Sequence, residues 1–406
     1  MIKRIGALVF IFFCTSIAWL VLGATIVSRT YSPLSDELKS RVASNWGTAQ
    51  EQAPPKATYR REYMRTVETS KETKQIASTE IVPLTLDATK VDVTLDLEHR
   101  QKGLLWYSTY TVVFAGDYKF TNSSGQDQDV TFQLGFPSKQ AVYDDLLMSV
   151  DDQPLTVKNA NDSAFGSLRV PAWKTVVLHA SYRSQGLDTW RYNFGDGVSQ
   201  IRNFTLNVHT NFKGIDFPEN TLSPTTKREF GNGWDLTWNY TNLVSGYAIG
   251  IAMPQKLQPG PLAGQISFFA PVSLFFFFFL MFIITTLRGI DLHPMNYFFL
   301  AAAFFAFHLL LAYLVDHVSI HIAFVICSLV SIFLVVTYLR LVVGLRFAAM
   351  EAGLAQLIYL VLFSYAFFFK GFTGLAITIG SIATLFVVMQ VTGRIRWEEK
   401  FAKAHS

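Results

Sequence analysis

The sequence predicts a membrane protein of mixed α and β structure. It has a single N-terminal transmembrane anchor, an extracytoplasmic antiparallel β-sandwich-like domain and a C-terminal five-helix transmembrane bundle. Half of the 406 residues are hydrophobic and 15% are aromatic, which is too apolar for an ordinary soluble protein. The excess lies in residues 266–392 and, at the start of the chain, in residues 5–27. Between them the composition is that of a soluble domain built of short alternating strands.

The N-terminal segment, residues 1–28, is predicted to be a transmembrane anchor. Lys3 and Arg4 precede residues 5–27, which carry no charge. This apolar stretch is longer than the roughly 7–15 residues of a usual signal-peptide core. The small residues around Gly23 also fit a cleavage site, so removal of the segment stays open as the alternative.

Residues 29–75 are predicted to form a polar stalk with one short helix. Ser35 is followed by two acidic residues, the pattern of a helix N-cap with a negative first turn. The consecutive prolines Pro54 and Pro55 end this helix. The charged residues 56–75 have no clear period, and we interpret them as solvated.

Residues 76–263 are predicted to form the β domain. Val91 and Val93 alternate with polar residues, which is the period-two pattern of a half-buried strand. The alternation returns at residues 107–114, 130–136, 176–182, 204–208, 234–240 and 247–251. Turn-forming residues separate these runs, which favours an antiparallel sandwich. Because Cys14 and Cys327 both lie in predicted spans, the domain has no disulfide to form.

Residues 264–393 are predicted to contain five transmembrane helices. About 20 apolar residues, at about 1.5 Å of rise each, span a hydrocarbon core of roughly 30 Å. Polar interruptions divide the block at residues 288–294, 316–321, 340–346 and 370–371. The last residues, 394–406, form a predicted basic cytoplasmic tail.

The distribution of lysine and arginine predicts the orientation. With the N-terminus in the cytoplasm, nine basic residues flank the spans on that side: Lys3, Arg4, Arg288, Arg340, Arg346, Arg394, Arg396, Lys400 and Lys403. Only Arg29 and Lys370 lie beside the spans on the other side. We therefore expect both termini in the cytoplasm and residues 29–263 outside it. The net charge of +4 is small, so the bilayer and not nucleic acid is the expected partner.

Two ionisable residues inside the spans are candidate functional residues, because charge is costly in lipid. His308 lies midway along the third span, and it is either a proton-relay or substrate-contact group or a neutral histidine bonded to a neighbouring helix. Glu351 lies near the start of the fifth span. It either contacts an ion or proton, or it reaches the interface or pairs with Arg346.

A third candidate is the loop that follows the third span. Asp316 and His317 lie together there, with His321 four residues further on, which suits pH sensing or metal capture. Two histidines and one aspartate fall short of a metal site without a further ligand, so a solvated loop is the alternative. No metal and no other cofactor is predicted. The chain also lacks the common catalytic motifs, and we expect no enzyme.

The run Leu292-His293-Pro294-Met295-Asn296-Tyr297, with Asp316-His317 after the next apolar stretch, resembles the CreD-like family of bacterial inner-membrane proteins. The resemblance implies a role in cell-envelope integrity or stress response, and no known chemical activity. His293, Pro294, Asp316 and His317 are the positions that match, without an assigned role. Pro294 also has a structural explanation, since proline is favoured in the first turn of a helix.

A second patch, residues 217–238, is also similar to this family, as is the overall order of anchor, domain and bundle. The chain departs from the family after Trp46-Gly47, where Ala53-Pro54-Pro55-Lys56 stands in place of the usual Gly-Pro and strand. Three functions stay open: a non-enzymatic envelope protein whose β domain binds an envelope protein partner, a transporter or channel component, and an intramembrane enzyme.

Overall fold

The computed structural model describes residues 2–69, 72–102, 105–195, 199–369 and 371–393. The chain divides into two compact units. The β unit is Glu37–Lys256, and the membrane unit consists of the described residues of Met1–Asp36 and Leu257–Ser406. The predicted basic tail at 394–406 and the predicted loop residue Lys370 lie outside the described residues.

Helix α1 is Ile2–Trp46, one continuous helix where the sequence predicts an anchor and a separate short helix. Its last turns belong to the β unit. There Val42 packs with Leu105, Tyr107 and Leu187 in a small apolar cluster. Packing of the helix face that contains Val42 stabilises the last turns of α1. The helix is continuous through Ser35, which therefore does not begin a new helix.

The β unit contains sixteen strands in its described residues. The strands are β1 (Gln50–Gln52), β2 (Lys56–Thr69), β3 (Glu72–Pro83), β4 (Thr85–Lys102), β5 (Leu105–Thr121), β6 (Gln128–Gly135), β7 (Tyr143–Val150), β8 (Gln153–Pro154), β9 (Lys158–Ala160), β10 (Ser163–Val170), β11 (Thr175–Leu187), β12 (Thr189–Tyr192), β13 (Ser199–Thr210), β14 (Thr226–Phe230), β15 (Gly233–Ser245) and β16 (Ile249–Ala252).

The strands form three sheets. The largest has eight strands in the order β14-β15-β13-β4-β5-β11-β7-β8, the second has β3-β2-β6-β10-β9, and the third has β1-β12-β16. The pairing is antiparallel except for two parallel pairs, β13 with β4 and β1 with β12. The predicted β domain is thus confirmed as a large sheet structure, and its description as a sandwich stays a prediction.

One apolar core joins the three sheets. On β4 the predicted alternation holds, because Val91, Val93 and Leu95 are at most 1% exposed. Aromatic side chains fill much of the volume, and the rings of Phe114 and Tyr182 stack with their centroids 4.9 Å apart. Burial of each such side chain contributes about 1.5–3 kcal/mol, so the β unit has its own source of stability.

The charged passage that was interpreted as a solvated stalk forms strands β2 and β3 instead. Only its first residues, Lys56–Tyr59, pair with β6 in the sheet. From Arg60 onward β2 pairs only with β3, so the two strands form a two-stranded ribbon. Charged side chains are common on exposed edge strands, where they oppose aggregation. In β2 and β3 they replace the alternation of apolar and polar residues by which a strand is recognised in a sequence.

We expect the β unit to fold without the helices. A fragment of residues 37–256 should give β-type circular dichroism and one cooperative melting transition, because it contains the whole core. A fragment of residues 76–255 should melt at lower temperature, since it lacks β1 and β2, which pair with β12 and β6. Equal melting temperatures for the two fragments would contradict this account.

The membrane unit contains the predicted five long apolar helices. After the short helix α2 (Pro259–Phe268), they are α3 (Ala270–Arg288), α4 (Pro294–Leu314), α5 (Ile320–Val342), α6 (Leu345–Phe368) and α7 (Thr373–Thr392). Each is long and apolar enough to cross a membrane, and the breaks fall where the sequence predicts them. The N-terminal anchor stays a prediction, supported by the shorter apolar stretch Ile5–Val21 of α1.

Candidate functional site

The loop after α4 does not bring its ionisable residues into a site. Asp316 and His317 lie in the turn that ends α4, where Asp316 is partly buried and His317 is exposed. The His321 ring lies 5.3 Å from the ring of Phe368, between centroids. Among the residues that the structure describes, no group of three or more His, Cys, Asp or Glu side chains is arranged to hold a metal ion.

His293 and Pro294 begin α4. The His293 ring accepts a hydrogen bond through Nδ1 from the backbone N–H of Met295 at 3.2 Å, and so acts as the helix N-cap. Pro294 occupies the first turn, where its missing N–H needs no partner. The structure therefore gives this family-matching pair a structural role.

His308 is fully buried in the bundle, with 0% of its surface exposed. Both ring nitrogens lack a hydrogen-bond partner in the described part of the chain. Aromatic rings surround it: the centroids of Trp19, Phe304 and Phe307 lie 5.6, 5.8 and 5.0 Å from that of His308. The predicted hydrogen bond to a neighbouring helix is absent among these residues, so the alternative of a satisfied neutral histidine is not what the structure shows.

The indole of Trp19 connects α1 to this region. Its Nε1–H donates to the backbone oxygen of Ser267 on α2 at 2.9 Å, and its ring stacks on Phe305 at 5.0 Å between centroids. Trp19 is only 8% exposed. Trp19 was not among the predicted site residues, although a tryptophan midway along an apolar segment is a signal, because tryptophan prefers the membrane interface.

Glu351 forms an ion pair with Arg288 at the end of α3, and not with Arg346 as the sequence suggested. Its side chain is 16% exposed, whereas that of Arg288 is 53% exposed. Oε1 of Glu351 makes the contact, and the buried Oε2 has no hydrogen-bond partner among the described residues. Only one of the two carboxylate oxygens of Glu351 therefore has a partner among the described residues.

Helix α6 departs from α-helical geometry around Glu351. Two π-helical segments, Ala348–Ala352 and Leu357–Leu362, flank an α-helical turn, Gly353–Gln356. π-helical turns are rare and are found frequently at functional sites. The partner of Glu351, Arg288, lies on the neighbouring helix α3, so its identity could not be predicted from spacing along α6.

A short hydrogen-bond chain crosses the bundle beside these groups. The fully buried Gln356 donates from Nε2 to Oγ of Ser331 on α5 at 2.8 Å. Ser331 in turn donates to the backbone oxygen of Ala303 on α4 at 3.1 Å. Oε1 of Gln356 has no partner in the described part of the chain. Neither Gln356 nor Ser331 was among the predicted site residues, since uncharged polar residues are common in membrane helices.

Buried tyrosines form much of the polar interior of the β unit. The hydroxyl of Tyr182 donates to Oε1 of Gln52 at 2.7 Å. Burial raises the pKa of Tyr143 to about 12, and that of Tyr182 well above its ordinary value. These phenols stay protonated at neutral pH, so they can donate hydrogen bonds but cannot act as bases there. The paired aspartates Asp151 and Asp152 form the turn between β7 and β8.

The comparisons with known proteins agree with the resemblance seen in the sequence. The family model described as "Inner membrane protein CreD" matches residues 265–398, which include the five long helices. The predicted resemblance to the CreD-like family is confirmed over this range. The second similar patch, residues 217–238, lies outside it. No curated protein matches the chain.

Solved structures give weaker similarities. A putative nutrient binding protein from Legionella pneumophila has 11% sequence identity and a TM-score of 0.33, over 57% of this chain and 76% of that chain. An M1 zinc metallopeptidase from Deinococcus radiodurans has 13% identity and a TM-score of 0.23, over 42% of each chain. These scores are too low to carry an argument about fold or activity.

Proposed function

We propose that this chain is a non-enzymatic protein of the bacterial inner membrane that contributes to cell-envelope integrity or stress response. In this proposal the β unit lies outside the cytoplasm and binds an envelope protein partner. The match of the helix bundle to an inner-membrane family supports the location. The observation that carries partner binding is the ribbon formed by β2 and β3.

The ribbon offers both apolar side chains and free backbone to a partner. Tyr63, Met64, Ile76 and Ile81 are between 43% and 67% exposed. The pairing register places Met64 and Ile81 on one face, since Met64 lies opposite Ala77 and Arg60 lies opposite Ile81. β3 is the edge strand of its sheet. Exposed apolar side chains beside an unpaired strand edge are typical of partners that bind by strand addition.

An isolated two-stranded ribbon is marginally stable in water, which also favours a bound partner. The charge on the ribbon limits nonspecific pairing: Arg61 contacts Glu80 across the strands, with Nη2 and Oε2 2.6 Å apart. A partner strand with alternating apolar residues would cover Met64 and Ile81 and leave such charged pairs in water. The partner is therefore expected to be an extended segment of an envelope protein.

The double variant Met64→Ser/Ile81→Ser tests this surface. We expect loss of resistance to envelope stress while the protein level and the melting temperature of the β unit stay unchanged, because both side chains are exposed. Val142→Ser is the matched control, since Val142 is 72% exposed and lies away from the ribbon in sequence. Wild-type resistance in the double variant would contradict the proposed role of the ribbon.

The orientation can be tested at the same position. A Met64→Cys variant should react with a membrane-impermeant maleimide in cells whose outer membrane alone is permeabilised. Replacing Cys14 and Cys327 by serine removes the other thiols. The Lys/Arg distribution supports this orientation. Reaction only after lysis of the inner membrane would overturn it.

A further inference from the structure

Four polar side chains lie at three successive depths inside the bundle, and we call them the polar file: Glu351, Gln356, Ser331 and His308. Gln356 donates a hydrogen bond to Ser331, and Ser331 donates one to the backbone of Ala303. Gln356, Ser331 and Ala303 therefore lie at one depth in the bundle, which we call the central level. Ser331 lies halfway along α5, Ile320–Val342, so this level is close to the middle of the helices.

Glu351 and His308 lie on opposite sides of that level. Short turns connect α4 to α5 and α5 to α6, so α4 and α6 run in the same direction. Glu351 precedes Gln356 by five residues on α6, and His308 follows Ala303 by five residues on α4. At about 1.5 Å of rise per residue, each lies roughly 7 Å from the central level. The file therefore extends over roughly 15 Å of the depth of the bundle.

Every titratable member of the file has a buried polar atom without a hydrogen-bond partner among the residues that the structure describes. These atoms are Oε2 of Glu351 and both ring nitrogens of His308. Oε1 of Gln356, at the central level between Glu351 and His308, also has no partner among the described residues. Polar atoms left unpaired in an apolar interior cost free energy, and chains of Asp, Glu and His inside membrane spans mark ion and proton pathways. The two π-helical segments of α6 are a second, independent sign of function at the same place.

We propose that the polar file is a proton pathway through the helix bundle. A proton from the Arg288 side binds Oε2 of Glu351 and converts the carboxylate to the acid, which weakens the ion pair with Arg288. Glu351 gives this proton to water held by Oε1 of Gln356 and by the Ser331 hydroxyl and so returns to the carboxylate. That water passes a proton to one nitrogen of His308. His308 releases a proton from its other nitrogen toward the Asp316 end of α4, so one proton enters and one leaves.

His308 lies in an apolar enclosure, with the ring centroids of Trp19, Phe304 and Phe307 within 6 Å of its own. Such an enclosure disfavours a lasting positive charge, so a proton must leave one ring nitrogen as another arrives at the other. The ring contacts described for His308 are with Trp19 of α1 and with Phe304, Phe305 and Phe307 of α4. At the other end Arg288 is the charged group that faces Glu351. A proton and not a metal cation is the proposed occupant, because Glu351 and His308 lie roughly 15 Å apart along the bundle and cannot coordinate one ion together.

Other buried titratable groups of the bundle lie off the file. Tyr359 donates from its hydroxyl to Oγ1 of Thr384 on α7 at 2.9 Å. Cys327 is buried on α5, with 0% exposed. Tyr359 therefore provides a matched control: it is a buried polar residue of the same helix as Glu351, with its hydroxyl already bonded elsewhere.

The full-length protein, reconstituted in liposomes with the pH dye pyranine inside, tests the proposal. With a potassium diffusion potential set by valinomycin, the wild type should take up protons. Glu351→Gln and His308→Gln should each lower the rate by about tenfold or more, because neither replacement titrates. Tyr359→Phe should keep the wild-type rate. A sodium-sensitive dye in parallel liposomes should show no uptake.

Several results would overturn the proposal. A wild type without proton uptake, or with sodium uptake of the same size, rules out a proton pathway. Wild-type rates in both Glu351→Gln and His308→Gln would show that the file does not carry the proton. Gel filtration and melting curves identify a variant that fails to fold, and Glu351→Asp, which keeps a carboxyl group, should then retain more uptake than Glu351→Gln. The ribbon variant Met64→Ser/Ile81→Ser should leave uptake unchanged, which separates this proposal from the proposed function.

Discussion

Gly233→Ala is expected to destabilise the β unit by about 3 kcal/mol, because inserted atoms in a packed interior force the backbone apart. Gly233 is the first residue of β15 and is buried. A Cβ built there would lie 1.6 Å from the backbone oxygen of Thr210 and 2.5 Å from its carbonyl carbon. Both atoms belong to backbone, so no side-chain rotation can relieve the contact.

Gly135→Ala is the matched control for this variant. Gly135 also lies in a strand, β6, and a Cβ there would meet no atom within 4 Å. Alanine in a strand loses less conformational entropy on folding than glycine, so Gly135→Ala should be neutral or stabilising by up to about 1 kcal/mol. Thermal melting of the fragment of residues 37–256 measures both. Equal melting temperatures for the two variants would mean that β13 and β15 are not packed as the structure describes.

The helix bundle was the most predictable part of the fold. The thickness of a bilayer limits the length of each apolar segment, so five lengths and four polar breaks follow directly from the sequence. The observed helices, from Ala270–Arg288 to Thr373–Thr392, end at those breaks. The half-buried strands were also predictable, because a strand with one buried face has a period of two.

The ribbon and the strand order were not predictable from the same signals. Residues 60–64 of β2 are exposed on both faces, so its charged residues give no alternation of apolar and polar positions. The parallel pairing of β13 with β4 joins segments that are far apart in the chain. A period of two identifies a strand but not its neighbour, so this pairing needed the structure.

Of the candidate site, only the ionisable residues could be predicted from the sequence. His308 and Glu351 stand out because an ionisable residue in a membrane span is rare. Their surroundings did not follow from the sequence, since the contacts of Trp19 with His308 and of Gln356 with Ser331 join distant segments. Asp316 and His317 stood out for their resemblance to a family motif, and the structure places them in the turn that ends α4.

The ion pair between Arg288 and Glu351 is expected to respond unequally to loss of its two members. Removal of one partner from a buried pair leaves an uncompensated charge, at a cost of about 3–5 kcal/mol when both are fully buried. Glu351 is 16% exposed, so Arg288→Met leaves its carboxylate in an apolar environment. Because Arg288 itself is 53% exposed, water reduces the expected loss to about 2 kcal/mol.

The opposite change should cost much less. In Glu351→Gln, the half-exposed guanidinium of Arg288 keeps its contact with water, so we expect a loss below about 1 kcal/mol. The double variant Arg288→Met/Glu351→Gln should be close to Glu351→Gln alone, because no unpaired charge remains. Melting of the detergent-solubilised full-length protein measures all three. Additive losses in the double variant would show that the two side chains do not interact, and that the carboxylate of Glu351 is held by another group.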